Sequence, residues 1–183
     1  CDGADSHTRR SIQTVLWQLT SVLARLLAPV LSFTTDEVWD HLRKLDANGD
    51  TMGDSIHLTH WPDPLDVAQD AQLLDDFALL WQVRDDVLRE LEGLRASGGI
   101  GAGLDARVRL ASDDARLMRV LSRYADSLAA LFIVSDVVLA DSAGDGWAAG
   151  TELPDLSLNV ENAGGTRCAR CWQFLPSVGT HAD

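Results

Sequence analysis

The amino-acid sequence predicts a mainly α protein: an antiparallel helical bundle, then a small α/β unit, then a short cysteine turn. Three observations carry this. Apolar residues recur at helical spacing through three long segments within residues 1–99. After Gly103 the period changes to alternation, with Leu104, Ala106, Val108 and Leu110 separated by Asp105, Arg107 and Arg109. Near the carboxyl end, Cys168 and Cys171 stand at C-x-x-C spacing behind Gly164 and Gly165. The divisions expected are residues 1–99 for the bundle, 100–160 for the α/β unit and 161–183 for the cysteine turn.

The first helix is expected over about residues 6–27. Ile12, Val15, Leu16, Leu19, Val22, Leu23, Leu26 and Leu27 form its apolar stripe, and Arg9, Arg10, Gln13, Gln18 and Arg25 fill much of the remainder. Pro29 interrupts it. Thr34 and Glu37 have capping-box spacing, so a second helix is expected to start there and run through Val38, Trp39, Leu42 and Leu45. The loop from Asp46 to Asp50 invites comparison with a calcium loop. Thr51 replaces its glycine and His57 its terminal glutamate, so the reading is turn chemistry. Residues 55–60 read as a short extended piece, and Pro62 and Pro64 make the next stretch rigid. A third helix is expected over about residues 68–96, with Leu73, Leu74, Phe77, Leu80, Trp81, Val87, Leu88, Leu91 and Leu94 buried. Gly98 and Gly99 end it. Three amphipathic helices cannot hide their stripes separately, which is why a bundle is expected.

The alternating residues 104–110 read as a half-buried strand. A helix over about residues 113–131 follows, with Leu117, Val120, Leu121, Tyr124 and Leu128 inward, and a second strand through Val137, Val138 and Leu139. Residues 141–154 form a Gly/Ala/Asp-rich loop, and residues 156–160 a third strand leading to the cysteines.

Two thiolates at C-x-x-C spacing can occupy one face of a tetrahedral Zn²⁺. A closed structural site needs four ligands. His181 and Cys1 are the further candidates in the chain, and the spacing requires neither. The pair therefore reads as half of a zinc knuckle, truncated before its second half. A redox pair would open a helix, whereas Pro176 follows Cys171 within five positions. A chance pair of free cysteines is the other bland reading. Arg167, Arg170 and Trp172 flank the turn. Trp172 can be the hydrophobic lid of the knuckle or a platform for a stacked base. Trp17, Trp39 and Trp81 read as core. His41, His57 and His60 read as surface residues, because no carboxylate or cysteine stands at ligand spacing with them.

The 183 residues carry a net charge of −13, which argues against broad phosphate-backbone binding without excluding a local arginine cluster. Lys44 is the single lysine among 15 basic residues. No apolar run reaches the roughly 18 residues of a membrane span, and no segment has signal-peptide anatomy, so a cytoplasmic protein without membrane contact is expected. No nucleotide-binding glycine loop, Ser/His/Asp arrangement or HExxH is present, and no residue is assigned a catalytic role.

The stretch from Ser11 through Leu27, Pro29, Phe33 and Glu37 to Trp39 resembles the anticodon-binding helical bundle of class I aminoacyl-tRNA synthetases of the isoleucine, valine, leucine and methionine group. The stretch from Arg95 to Leu110 resembles the junction that follows this bundle in the isoleucyl members, and Leu131 to Val137 the strand segment after it. Cys168, Arg170, Cys171 and Trp172 resemble the first half of the C-terminal zinc knuckle of the bacterial isoleucyl enzymes. The resemblance implies a C-terminal fragment lacking the bundle's first helix, the second cysteine pair, and the catalytic and editing domains. It implies a monomer that meets isoleucine tRNA through the anticodon loop, with Arg167, Arg170 and Trp172 as contacts and Cys168 and Cys171 on structural zinc. ATP and isoleucine would be used by the catalytic domain of the parent ligase. A synthetase for another amino acid of the group and a free-standing protein-interaction module are the alternatives.

Overall fold

Ser6 opens the first helix as its sequence suggests, its hydroxyl accepting from the Arg9 amide at 3.4 Å. In the computed structural model, which describes residues 3–45, 53–65, 67 and 69–180, α1 spans His7–Leu27 and α2 spans Ser32–Leu45. The loop from Asp46 to Asp50 compared with a calcium loop lies outside the described residues, as do Thr51, Cys1 and His181. The chain forms two compact units, Cys1–Ala68 and Gln69–Asp183.

In the first unit α2 begins before the expected capping box. Pro29 removes one amide from the α1 ladder, but its fixed φ suits the entry of a helix. The amides of Val30 and Leu31 both return to the Leu27 carbonyl, and Thr35 bonds the Leu31 carbonyl with amide and hydroxyl. Thr34 and Glu37 thus sit inside the helix, not at its cap. Ala24, Ala28, Trp39, Leu42 and Ile56 are buried together, with Trp17 and Val38 half-buried against them. The Trp39 indole donates to the Gly53 carbonyl at 3.0 Å. Residues 55–60 do not form one extended piece: Ile56–Leu58 is a 3-10 turn between the extended residues Ser55 and Thr59. Asp36 on α2 holds it, accepting from the Ser55 hydroxyl at 2.8 Å and the Ile56 amide at 3.1 Å. These two bonds, the Ser55 one first, hold the Asp36 carboxyl below its ordinary range. Much of the α1 stripe read as buried is exposed within the described residues, Val15, Leu16 and Leu23 each keeping more than half their surface.

The second unit overturns the expectation of a mainly α protein. Asp70 caps α3, Ala71–Ala96. Then follow β1 Ala106–Ser112, α4 Ala115–Arg123, α5 Ala125–Phe132, β2 Asp136–Leu139, β3 Ala148–Ala149, β4 Leu156–Asn162, β5 Thr166–Arg167 and β6 Phe174–Leu175. Four strands make one sheet in the order β2-β1-β4-β3, and β5 and β6 pair as a separate ribbon. β2 runs parallel to β1, as a strand returned by a helical crossover does, while β4 runs antiparallel with Leu158 opposite Leu110 and Val160 opposite Val108. Leu80, Val83, Val87 and Leu91 of α3 are buried in one core with Val108, Leu110, Leu121, Phe132 and Leu158. The helix expected as the third rod of a bundle is instead a layer on a sheet, and the protein is mixed α/β. Helical periodicity marks the face that is buried but not what buries it. The single helix expected over residues 113–131 breaks at Tyr124, whose φ of −108° and ψ of 16° leave the helical region.

Two carboxylates are buried on α3. Asp86 accepts from the amides of Thr151, Glu152 and Leu153 at 2.8, 2.9 and 3.1 Å, and from Arg89 at 2.8 Å. A Cβ at Gly150 would run into the Asp86 carboxylate and the Leu153 carbonyl, so the approach of that loop depends on glycine. Asp76 accepts from Gln72, Arg123 and Tyr124.

Candidate nucleic-acid interface

The interface is built from the ribbon upward. Thr166 pairs with Leu175 and Arg167 with Phe174. Gly165 admits the ribbon at φ 104°, where a Cβ would lie 2.6 Å from the Leu175 carbonyl carbon. The loop between the strands is closed by Cys168 donating its amide to the Gln173 carbonyl and Trp172 donating to the Cys168 carbonyl, both at 2.9 Å. Ser135 anchors the ribbon to the sheet. It is 6% exposed, donates its hydroxyl to the Leu104 carbonyl at 2.5 Å and accepts from the Phe174 amide at 2.7 Å.

Both thiols of this loop are half-buried. The Cys168 sulfur accepts from the amides of Cys171 and Arg170 and from the Cys171 side chain, and these bonds, the Cys171 amide first, pull its thiol below the usual range. Amide hydrogens directed at a sulfur are the local chemistry a thiolate ligand needs. The Cys171 thiol lies 3.6 Å from the Gln173 side-chain oxygen. Among the described residues no group of three or more His, Cys, Asp or Glu side chains is placed to hold a metal ion. His57 is exposed and faces the Ser32 carbonyl at 3.2 Å, and His41 and His60 are exposed as well.

The three flanking residues expected as contacts are all exposed. Trp172 keeps 58% of its surface and stands at φ 65°, an uncommon conformation for a residue with a Cβ. It is no buried lid. The Arg167 guanidinium lies 5.8 Å from the Trp172 ring centroid, within cation–π range, while the Arg170 side chain has no partner among the described residues. Trp39 is core, as its helical position suggests. Trp81 is not: it is half exposed, with Arg84 5.5 Å from its ring centroid and the Arg84 Nε bonded to the Leu131 carbonyl. Arg84 three positions after Trp81 is the only sequence signal for that stack.

No helix among the described residues is long and apolar enough to cross a membrane. Residues 1–110 match the family model described as the anticodon-binding domain of tRNA ligase. The isoleucine–tRNA ligase of Syntrophotalea carbinolica is 40% identical over 181 residues, covering 99% of this chain and 19% of that protein. Those of Brachyspira hyodysenteriae and Thermotoga maritima are 38% and 35% identical, each covering 100% of the chain and 19% of the relative. The chain thus spans about a fifth of the length of the curated relatives it matches. With the family model matching over half of its residues, the chain belongs to the family of tRNA-ligase anticodon-binding domains.

Proposed function

We propose that the chain is the anticodon-recognition region of an isoleucine–tRNA ligase, a cytoplasmic monomer whose full-length form joins isoleucine to its tRNA using ATP. The observation that carries this is similarity to isoleucine–tRNA ligases along essentially the whole chain, the cysteine ribbon included. Anticodon bases are read by splaying them from the loop, stacking them on aromatic or guanidinium faces, and bonding their edges. The ribbon offers such a surface: the Trp172 ring, Arg167 beside it, and Arg170, whose side chain has no partner among the described residues. No catalytic role falls to these residues. The test is binding of the chain to an isoleucine tRNA transcript and to the same transcript with its anticodon exchanged. The exchange is expected to weaken binding at least about tenfold, roughly one well-made base contact. Equal affinity for the two transcripts overturns the reading.

Cys168 and Cys171 would hold a structural zinc ion, supplying two of its four donors. The amides aimed at Cys168 fit a thiolate ligand, and the ion would fix a loop too small to have a core of its own. Cobalt(II) titration of the chain is expected to show weak binding with thiolate-to-metal absorption, and Cys168→Ser to abolish that absorption. Absorption that survives the substitution excludes the site.

A further inference from the structure

α4 carries Arg116, Arg119 and Arg123 within one face of the helix, at i, i+3 and i+7. With Gln72, Asp76 and Val120 they line a cavity of about 280 Å³ between α3 and α4. Asp76 is the only carboxylate in that lining. It is 3% exposed and already engaged by Gln72, Arg123 and Tyr124, so its charge is used within the wall. Arg123 is spent on the same contact. Arg116 and Arg119 are exposed and have no side-chain partner among the described residues.

In so acidic a chain this is unusual. Within the described residues of the second unit, the other arginines except Arg170 are held by a carboxylate, a carbonyl or an aromatic ring. Two guanidinium groups left free over a polar cavity present donors in the fork geometry that suits a phosphate. Asp113 and Asp114 stand at the entry of α4, where the Asp114 carboxylate is occupied by the Arg116 amide. Val120 is the single apolar side chain in the lining. A protein partner would need an apolar or aromatic anchor there, and a phosphodiester backbone does not.

We propose that Arg116 and Arg119 form a phosphodiester-binding groove for the RNA backbone, separate from the cysteine ribbon. The inference rests on the tRNA reading above and adds a second contact to it, one that sets register and not sequence.

The experiment is fluorescence anisotropy of the chain with the isoleucine tRNA transcript across a salt series, with polyglutamate as an acidic-peptide probe. Arg116→Gln and Arg119→Gln are each expected to flatten the plot of log affinity against log salt by roughly 0.7–0.9, and the double variant by the sum. Arg116→Lys, which keeps the charge, should restore the slope. Trp172→Ala should lower affinity at unchanged slope, since stacking releases no counterions. Unchanged slopes in the glutamine variants, with the parent chain binding normally, overturn the groove and leave the anticodon reading standing. A parent chain that binds no RNA removes both. Arginine-dependent binding of polyglutamate with RNA slopes unchanged overturns it in favour of a protein partner.

Discussion

Asp86→Ala is expected to lower the stability of the second unit by about 3–5 kcal/mol, the scale for removing one partner from a buried charged network. The carboxylate is 1% exposed and organises backbone some 65 positions away in sequence. Without it the amides of Thr151, Glu152 and Leu153 lose their acceptor, and Arg89 keeps only the 3.4 Å contact to Glu152. Asp86→Asn should fall between parent and alanine, since its amide retains an acceptor but turns a donor toward other donors. Burial works against the charged form of Asp86, but the amides of Glu152, Thr151 and Leu153 and the Arg89 guanidinium outweigh it, so its carboxyl titrates below the ordinary range. A carboxyl lowered in the folded state contributes stability above its unfolded value, near pH 3.9, and that contribution is lost as pH falls through the folded value. Asp76, in the same unit, is lowered as well and adds to the same acid limb. Urea unfolding from pH 7 to pH 3 and amide exchange at positions 151–153 check this. The alanine variant should lose stability at neutral pH and show a shallower acid limb. A variant within about 1 kcal/mol of the parent, with those amides still protected, contradicts it.

Trp172→Ala is expected to weaken tRNA binding by about 1–3 kcal/mol, the range for one stacked base, or roughly fivefold to 150-fold. The fold should survive, because the ring is exposed and the hydrogen bond that the Trp172 amide donates to the Cys168 carbonyl does not depend on the side chain. Its left-handed backbone costs on the order of 1 kcal/mol in a residue with a Cβ. Trp172→Phe should retain most of the affinity, and anisotropy with the tRNA transcript measures all three proteins. Equal affinity for the parent and the alanine variant removes the ring from the interface.

What the sequence revealed was local. Ser6 stands where a helix begins, Gly98 takes the left-handed conformation after α3, and the alternation around Val108 and Leu110 became a strand. These features depend on residues a few positions apart. The errors arose where distant residues decide. Thr34 and Glu37 are the local exception: they have the spacing of a cap, but the turn at Leu27 had already started the helix. Ile56 alternates with its neighbours like a strand residue, yet Asp36 bends it into a 3-10 turn. Leu73, Leu74 and Trp81 follow the helical period but are exposed, while Asp76 and Asp86 occupy buried positions on α3. Nothing in the local pattern shows that Asp86 will meet three amides of a later loop. The C-x-x-C spacing marked a turn, and Cys168 and Cys171 do share one loop, between β5 and β6. Its anchor, Ser135, lies 39 positions from Phe174 and carried no such signal.

Nuclease and hydroxyl-radical footprinting of isoleucine tRNA with and without the chain is the decisive experiment. Protection is expected to centre on the anticodon loop and to be lost from its bases in Trp172→Ala. Protection confined to the acceptor end, or a pattern identical with and without the chain, would contradict the anticodon reading.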